Sequence, residues 1–197
     1  MPIWKTFVLT LIAALSLGHA QAGTLALHGV QLDNTLELNG SRLQLNGAGT
    51  RYKGPFKVYV AGLYLAQKAD TPEAVMAQAG RKRLSLTMLR DIDANELGTL
   101  LTRGMEDNLG RSEMSQLIPG LRRMSHNLSM QKKLLAGDNL LIEWIPGTGS
   151  VITVRGQTQG EAFKEPEFFK AMMWIWLGPT PADRQLKAAL LNPPPAP

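Results

Sequence analysis

Two residues in strand-forming sequence carry side chains able to hold an acid between them. Arg51 follows a Gly47-Ala48-Gly49 stretch, and Tyr59 lies eight positions further on. A guanidinium presents a planar fork of donors that matches a carboxylate. A phenol adds one more donor. If the two segments pair as neighbouring strands, both polar ends converge on one cleft. The same residues also have a plainer use. An arginine can snorkel or pair with a core carboxylate, and a tyrosine can pack as an amphipathic core residue. The residues alone leave both uses open.

Other chemistries find no footing in the sequence. There are no cysteines, which removes thiolate catalysis, thiol redox chemistry and cysteine metal sites. His28 and His126 have no carboxylate or second histidine at metal-ligand spacing, so no metal is expected. His126 lies among polar residues and reads as surface or partly buried. Gly47-Ala48-Gly49 lacks the third glycine of a dinucleotide fingerprint, and no Walker-type loop or G-x-S-x-G elbow occurs. The stretch reads as a bend, a bulge or a close backbone approach. No cofactor is expected.

The elements that must position Arg51 and Tyr59 are strands. Thr24 to Gln31 and Leu36 to Asn39 read as short strands broken at Asp33-Asn34, and Leu43 to Asn46 alternates. Residues 56–65 form the strongest strand, bounded by Pro55 and rich in aromatic and β-branched side chains. Its period of two puts Phe56, Val58, Val60 and Tyr64 on one face and Tyr59, Ala61, Leu63 and Leu65 on the other. Both faces are largely apolar, which predicts cover on both sides.

Helices and a hairpin follow. Thr71-Pro72 opens a short helix, and Leu84 to Leu89 is a strand. Asp93 and Glu96 form a capping-box pattern before a helix that Gly110 ends. Ser112 is expected to cap the next helix, which Pro119-Gly120 should kink or split. Leu140 to Ile145 and Val151 to Arg155 read as a hairpin joined by a four-residue loop. An aromatic helix over 166–177 stops at Gly178, and 183–191 is a last amphipathic helix. Strands, helices, a hairpin and helices in that order predict α+β, with an antiparallel sheet covered by helices on one side.

The 197 residues suit one domain. Residues 1–22 have the pattern of a secretory signal. Lys5 supplies the charge, a largely apolar run of 11 residues extends from Phe7 to Leu17, and Ala20-Gln21-Ala22 is the cleavage site. That run is too short for a permanent membrane anchor, which needs about 20 residues. The expected layout is a signal over 1–22, a domain over 23–192 and an extended Pro-rich tail over 193–197. The expected location is periplasmic or secreted. The net charge of +5 comes partly from clusters at 81–83, 122–123 and 132–133, which read as solvated faces. Export argues against a nucleic-acid partner.

Residues 45–51, Leu-Asn-Gly-Ala-Gly-Thr-Arg, and residues 57–65, Lys-Val-Tyr-Val-Ala-Gly-Leu-Tyr-Leu, resemble the signature of chalcone isomerase-like proteins. Gly137-Asp138, the Ile145-Pro146-Gly147-Thr148-Gly149 turn, and Phe169 through Ile175-Trp176-Leu177-Gly178 before Pro181 agree with it. The resemblance runs from about 25 to 191, and the export signal resembles the bacterial branch. It implies an open-faced β-sandwich, a large antiparallel sheet with helices layered on one face and a ligand cleft between them.

The resemblance also bears on function. Enzymes of the family use an Arg after the Gly-rich bend, a Thr on the next strand, a Tyr and an Asn on the following helix, and a hydroxyl near the late helix. Arg51 matches the first. The others fall at Tyr59, near Leu97 and Gly104, and near Trp174. Losing one such donor typically costs about 10²–10³ in rate, so losing most of them argues against the isomerisation. A non-catalytic branch binds fatty acids with an Arg and a Tyr, which Arg51 and Tyr59 match. Burying about ten methylenes at about 0.8 kcal/mol each would hold the acyl chain. The expectation is therefore a non-catalytic binder of a small amphipathic carboxylate such as a fatty acid. The alternatives are an intramolecular lyase or isomerase acting on an enone through Arg51, and a structural or interaction protein without a ligand.

Overall fold

The computed structural model describes residues 23–191. Residues 1–22, read as a signal, and the Pro-rich tail lie outside the described residues. The chain opens with β1 (Thr24–Leu27), β2 (Val30–Asp33), β3 (Thr35–Leu38), β4 (Ser41–Lys53) and β5 (Phe56–Leu65). It continues with α1 (Pro72–Ala77), β6 (Lys82–Met88), β7 (Ile92–Asp93), α2 (Ala94–Glu106) and α3 (Arg111–Ser129). It closes with β8 (Lys133–Leu134), β9 (Asn139–Ile145), β10 (Gly149–Val154), β11 (Gln157–Thr158), α4 (Pro166–Leu177) and α5 (Arg184–Leu190).

Seven strands form one antiparallel sheet in the order β11-β10-β9-β6-β5-β4-β3. The two short early segments are hairpins rather than isolated strands. β1 pairs with β2, and β3 pairs with β4. His28-Gly29 and Asn39-Gly40 make the turns with φ of 50°, 82°, 48° and 79°. Positive φ at both central positions is the geometry that matches strand twist, and Asn-Gly is its strongest sequence signal.

From Tyr59 onward the two faces of β5 divide as its period requires, while at its start Val58 packs against the main core and Phe56 stays exposed. Tyr59, Ala61, Leu63 and Leu65 enter the main core with Leu84, Leu86, Leu140 and Ile142, under α2 to α5. Val60 and Tyr64 turn the other way and meet Leu32, Leu43 and Leu45, beneath the β1–β2 hairpin. Both faces of the strand are therefore covered, the helices lie on one side, and the α+β open-faced sandwich is the fold of this chain.

Three expectations change. Gly110, not Ser112, is the N-cap of α3, and the Glu113 carboxylate accepts from its backbone N–H at 3.0 Å. α3 runs through Pro119 without a break. Leu117 and Leu121 on either side of the proline are both buried in the core, and tertiary packing outweighs one missing hydrogen bond. The 81–83 cluster is not a solvated face. Lys82 is 3% exposed, and Arg81 and Arg83 lie 3.4 and 2.9 Å from the buried Glu143 carboxylate. Paired in this way, the two guanidiniums and Glu143 are tolerated away from water, while the Lys82 ammonium donates to the Gln78 and Gly80 carbonyls.

Candidate functional site

β4 carries the local chemistry. Between Leu45 and Gly47 its pairing with β5 shifts register, which inserts Asn46 as a bulge. Asn46 is fully buried. Its Nδ2 donates to Ala69 O and Leu190 O, each at 2.8 Å, and its Oδ1 accepts from Ala69 N at 2.7 Å. The next residue is a close backbone approach. A Cβ on Gly47 would stand 2.2 Å from Ala189 O, so only glycine lets α5 lie on the strand.

The other end of α5 is fastened to β4 as well. Asp183 caps the helix, with Oδ1 accepting from Gln185 N at 2.9 Å and Leu186 N at 3.1 Å. Its second oxygen accepts from Tyr52 N at 3.1 Å and lies 3.5 Å from Arg51 Nη1. Nη1 also donates to Tyr52 O. Residues 46–52 thus form the seat of α5, with Asn46 holding its last turn and Arg51 its cap.

Arg51 and Tyr59 are brought side by side as neighbouring strands would place them, but they do not open onto a cleft. They are direct cross-strand partners on β4 and β5. The Arg51 side chain is 24% exposed, and Tyr59 is buried at the sheet–helix interface. The Tyr59 hydroxyl accepts a 2.8 Å hydrogen bond from the Trp176 indole on α4. Burial pushes the phenol up to about 12; the indole hydrogen bond and the nearby Arg51 charge oppose that rise.

Trp176 and Asp183 complete the site, and both escaped sequence reasoning in that role. Trp176 stood out as one of several aromatics on α4 and as part of the family-like Ile175-Trp176-Leu177-Gly178 run, and Asp183 only as a helix start. The signal for Asp183 was the second oxygen of a cap that uses one for its own helix. Trp174, the other indole near the end of α4, turns away and lies under the Lys170 ammonium at 5.7 Å.

This site is closed. Trp176 is 1% exposed and packs over Tyr59, while Asp183 neutralises Arg51. Five surface cavities of about 60–520 Å³ lie elsewhere, and neither Arg51 nor Tyr59 lines any of the five. The positions near which an enzyme's tyrosine, amide and late hydroxyl would stand hold Leu97, Gly104 and Trp174. Leu97 is buried in the core, and a Cβ on Gly104 would stand 2.8 Å from the Ile175 side chain. Among the described residues no group of three or more His, Asp or Glu side chains could hold a metal ion.

A sequence model of the family described as chalcone isomerase-like matches residues 24–192. No curated protein matches the sequence. Among solved structures, a fatty-acid binding protein of Arabidopsis thaliana superposes with a TM-score of 0.64 at 13% identity. The match covers 86% of this chain and 96% of that one. At that identity the likeness is one of fold.

Proposed function

This chain belongs to the chalcone isomerase-like family, and from that premise we propose that it is an exported, non-catalytic member that binds a small amphipathic carboxylate such as a fatty acid. The observation that carries the reading is the cross-strand pairing of Arg51 with Tyr59 beneath α4 and α5. A guanidinium and a phenol held side by side form a head-group site, and the apolar layer between sheet and helices supplies a place for the tail. The plant structural neighbour is described as a fatty-acid binding protein, which agrees with this use of the fold. Export to the periplasm, as in a bacterial branch of the family, rests on the signal pattern in residues 1–22.

The closed packing then represents the ligand-free form. Asp183 occupies the guanidinium as a ligand carboxylate would, and the Trp176 N–H occupies the phenol. Binding requires the acid to displace Asp183 from Arg51 and the tail to displace packed side chains near Trp176. The protein's own carboxylate competes with the ligand, so affinity is lowered by the stability of the closed state.

One observation favours a second reading. Asp183 holds Arg51 and three backbone N–H groups at once, which is what a purely structural clamp on α5 would look like. An interaction protein without a ligand follows from it. A lyase or isomerase acting on an enone would need Arg51 alone to polarise the carbonyl, and turnover of an enone abolished by Arg51→Ala would establish it.

Native mass spectrometry of the purified protein, followed by titration with decanoate and palmitate, separates the readings. Asp183→Asn keeps a capping side chain and removes the competing charge, so it is expected to bind the acid more tightly than wild type. Arg51→Ala is expected to bind about tenfold or more weakly, since hydrogen bonds to charged groups contribute about 1.5–3 kcal/mol. Equal affinity in all three proteins overturns the assigned role. No binding by any of them leaves the structural clamp as the function of the pair. A mature N-terminus at Gly23 in a periplasmic fraction checks the export step.

A further inference from the structure

A second arginine, remote in sequence from the first, has donors that the fold does not use. Four arginines among the described residues are half-buried: Arg51, Arg81, Arg83 and Arg123. Three of them face a carboxylate, Asp183 or Glu143, at 2.9–3.5 Å. Arg123 on α3 has no such partner among the described residues. Its guanidinium lies over the Phe163 ring at 4.1 Å, and Phe163 stacks on Phe168 with centroids 4.0 Å apart and planes at 8°. One hydrogen bond leaves it, from Nη2 to Ala162 O at 3.3 Å. Nε is sealed in without a partner, and Nη1 donates to nothing among the described residues. Stacking therefore fixes the plane of the donor fork, and although Nε is shut away from any ligand, Nη1 keeps its donors unspent.

That fork borders a cleft of about 270 Å³ where α3 passes Pro119 and Gly120. Gln116, Leu117, Pro119, Glu165 and Phe168 also line it. The volume is just under the range of about 300–1,000 Å³ typical of drug-sized ligands, so it suits one small molecule. Glu165 is exposed, and its carboxylate makes no hydrogen bond or ion pair among the described residues. A cation with spare donors and an unpaired carboxylate thus share one cleft without pairing with each other.

We propose that this cleft binds a small zwitterion, a free α-amino acid with an apolar side chain. Its carboxylate pairs with Arg123, its ammonium group with Glu165, and its side chain lies against Leu117, Pro119 and Phe168. A molecule carrying both charges satisfies both walls, whereas a simple acid or a simple amine meets one partner and one like charge.

The experiment is an amide-shift titration of the purified protein with L-leucine, acetate and isoamylamine in parallel. Saturable shifts at Gly120 and Phe168 are expected with L-leucine, at concentrations where acetate and isoamylamine produce none. Arg123→Gln is expected to weaken L-leucine binding by about tenfold or more. Glu165→Gln, at an exposed side chain, is expected to weaken it too and keeps the test intact if Arg123→Gln fails to fold. No saturable shift with L-leucine, equal shifts with acetate, or unchanged affinity in the variants overturns the proposal. Because Arg51 is untouched, this result is independent of the acid-binding test above.

Discussion

Replacing Asn46 by Asp changes one NH₂ group into one oxygen, at the point where β4 holds both Ala69 and the last turn of α5. The side chain is fully buried, and its Nδ2 donates to two carbonyls, each at 2.8 Å. Asn46→Asp keeps the bond accepted from Ala69 N and loses both donations. Two net hydrogen bonds at about 1 kcal/mol each are removed, and two carbonyl oxygens are left facing an oxygen at about 1 kcal/mol each. The sum is about 4 kcal/mol. For a domain of this length that is a fall in Tm of about 8–16 °C. The pH dependence has a definite sign. The new carboxyl is buried among acceptors, so its folded pKa rises above the unfolded value of about 3.9. The deficit against wild type is therefore smallest below about pH 4, where the neutral acid can donate to one carbonyl. It grows as pH rises through the folded pKa. Thermal unfolding followed by circular dichroism at pH 4 and pH 7 reads both quantities. A loss under about 1 kcal/mol, or a deficit that does not shrink in acid, would refute the reasoning that Asn46 is a buried, fully used amide.

Gly47→Ala places a methyl 2.2 Å from Ala189 O, a backbone atom that cannot rotate away, so α5 must lift. Hydrogen exchange is expected to accelerate at Leu186 and Leu190 while the β5–β6 pairs keep their protection; unchanged protection in α5 would contradict the seat described for it. Tyr59→Phe leaves the Trp176 N–H buried without an acceptor and is expected to cost about 1–2 kcal/mol by denaturant unfolding. The phenol's folded value of about 12 stands above the usual 10.0, so its stabilising contribution is whole below pH 10 and disappears as pH rises through 12. The variant should lose that part of the alkaline stability slope, and an identical slope in both proteins would rule the buried phenol out.

Local signals in the sequence determined the elements. Pro55 and the aromatic, β-branched run determined β5, and Gly178 determined where α4 stops. Thr71, Asp93 and Asp183 each cap the helix that follows, because a short acceptor reaches the N–H groups two or three residues on. Of the three readings left open for Gly47-Ala48-Gly49, the close backbone approach is the one found at Gly47, since only a missing side chain admits another backbone there. Asn39-Gly40 was a legible turn signal as well, though its strands read as separate pieces rather than as a hairpin.

The site was legible only in half. Cross-strand pairing of Arg51 with Tyr59 follows once β4 and β5 are neighbours, because register between adjacent strands is set by nearby sequence. Their other partners are distant along the chain. Trp176 reaches Tyr59 across 117 positions, and the Asp183 carboxylate reaches the Tyr52 N–H across 131. The unbroken path of α3 through Pro119 and the burial of Lys82 were decided in the same way, by what packs against them. Propensity and capping act over a few residues, so the sequence determines where elements begin, end and turn. Which polar groups meet in the dry layer between sheet and helices depends on how α4 and α5 dock, and long-range packing decides that.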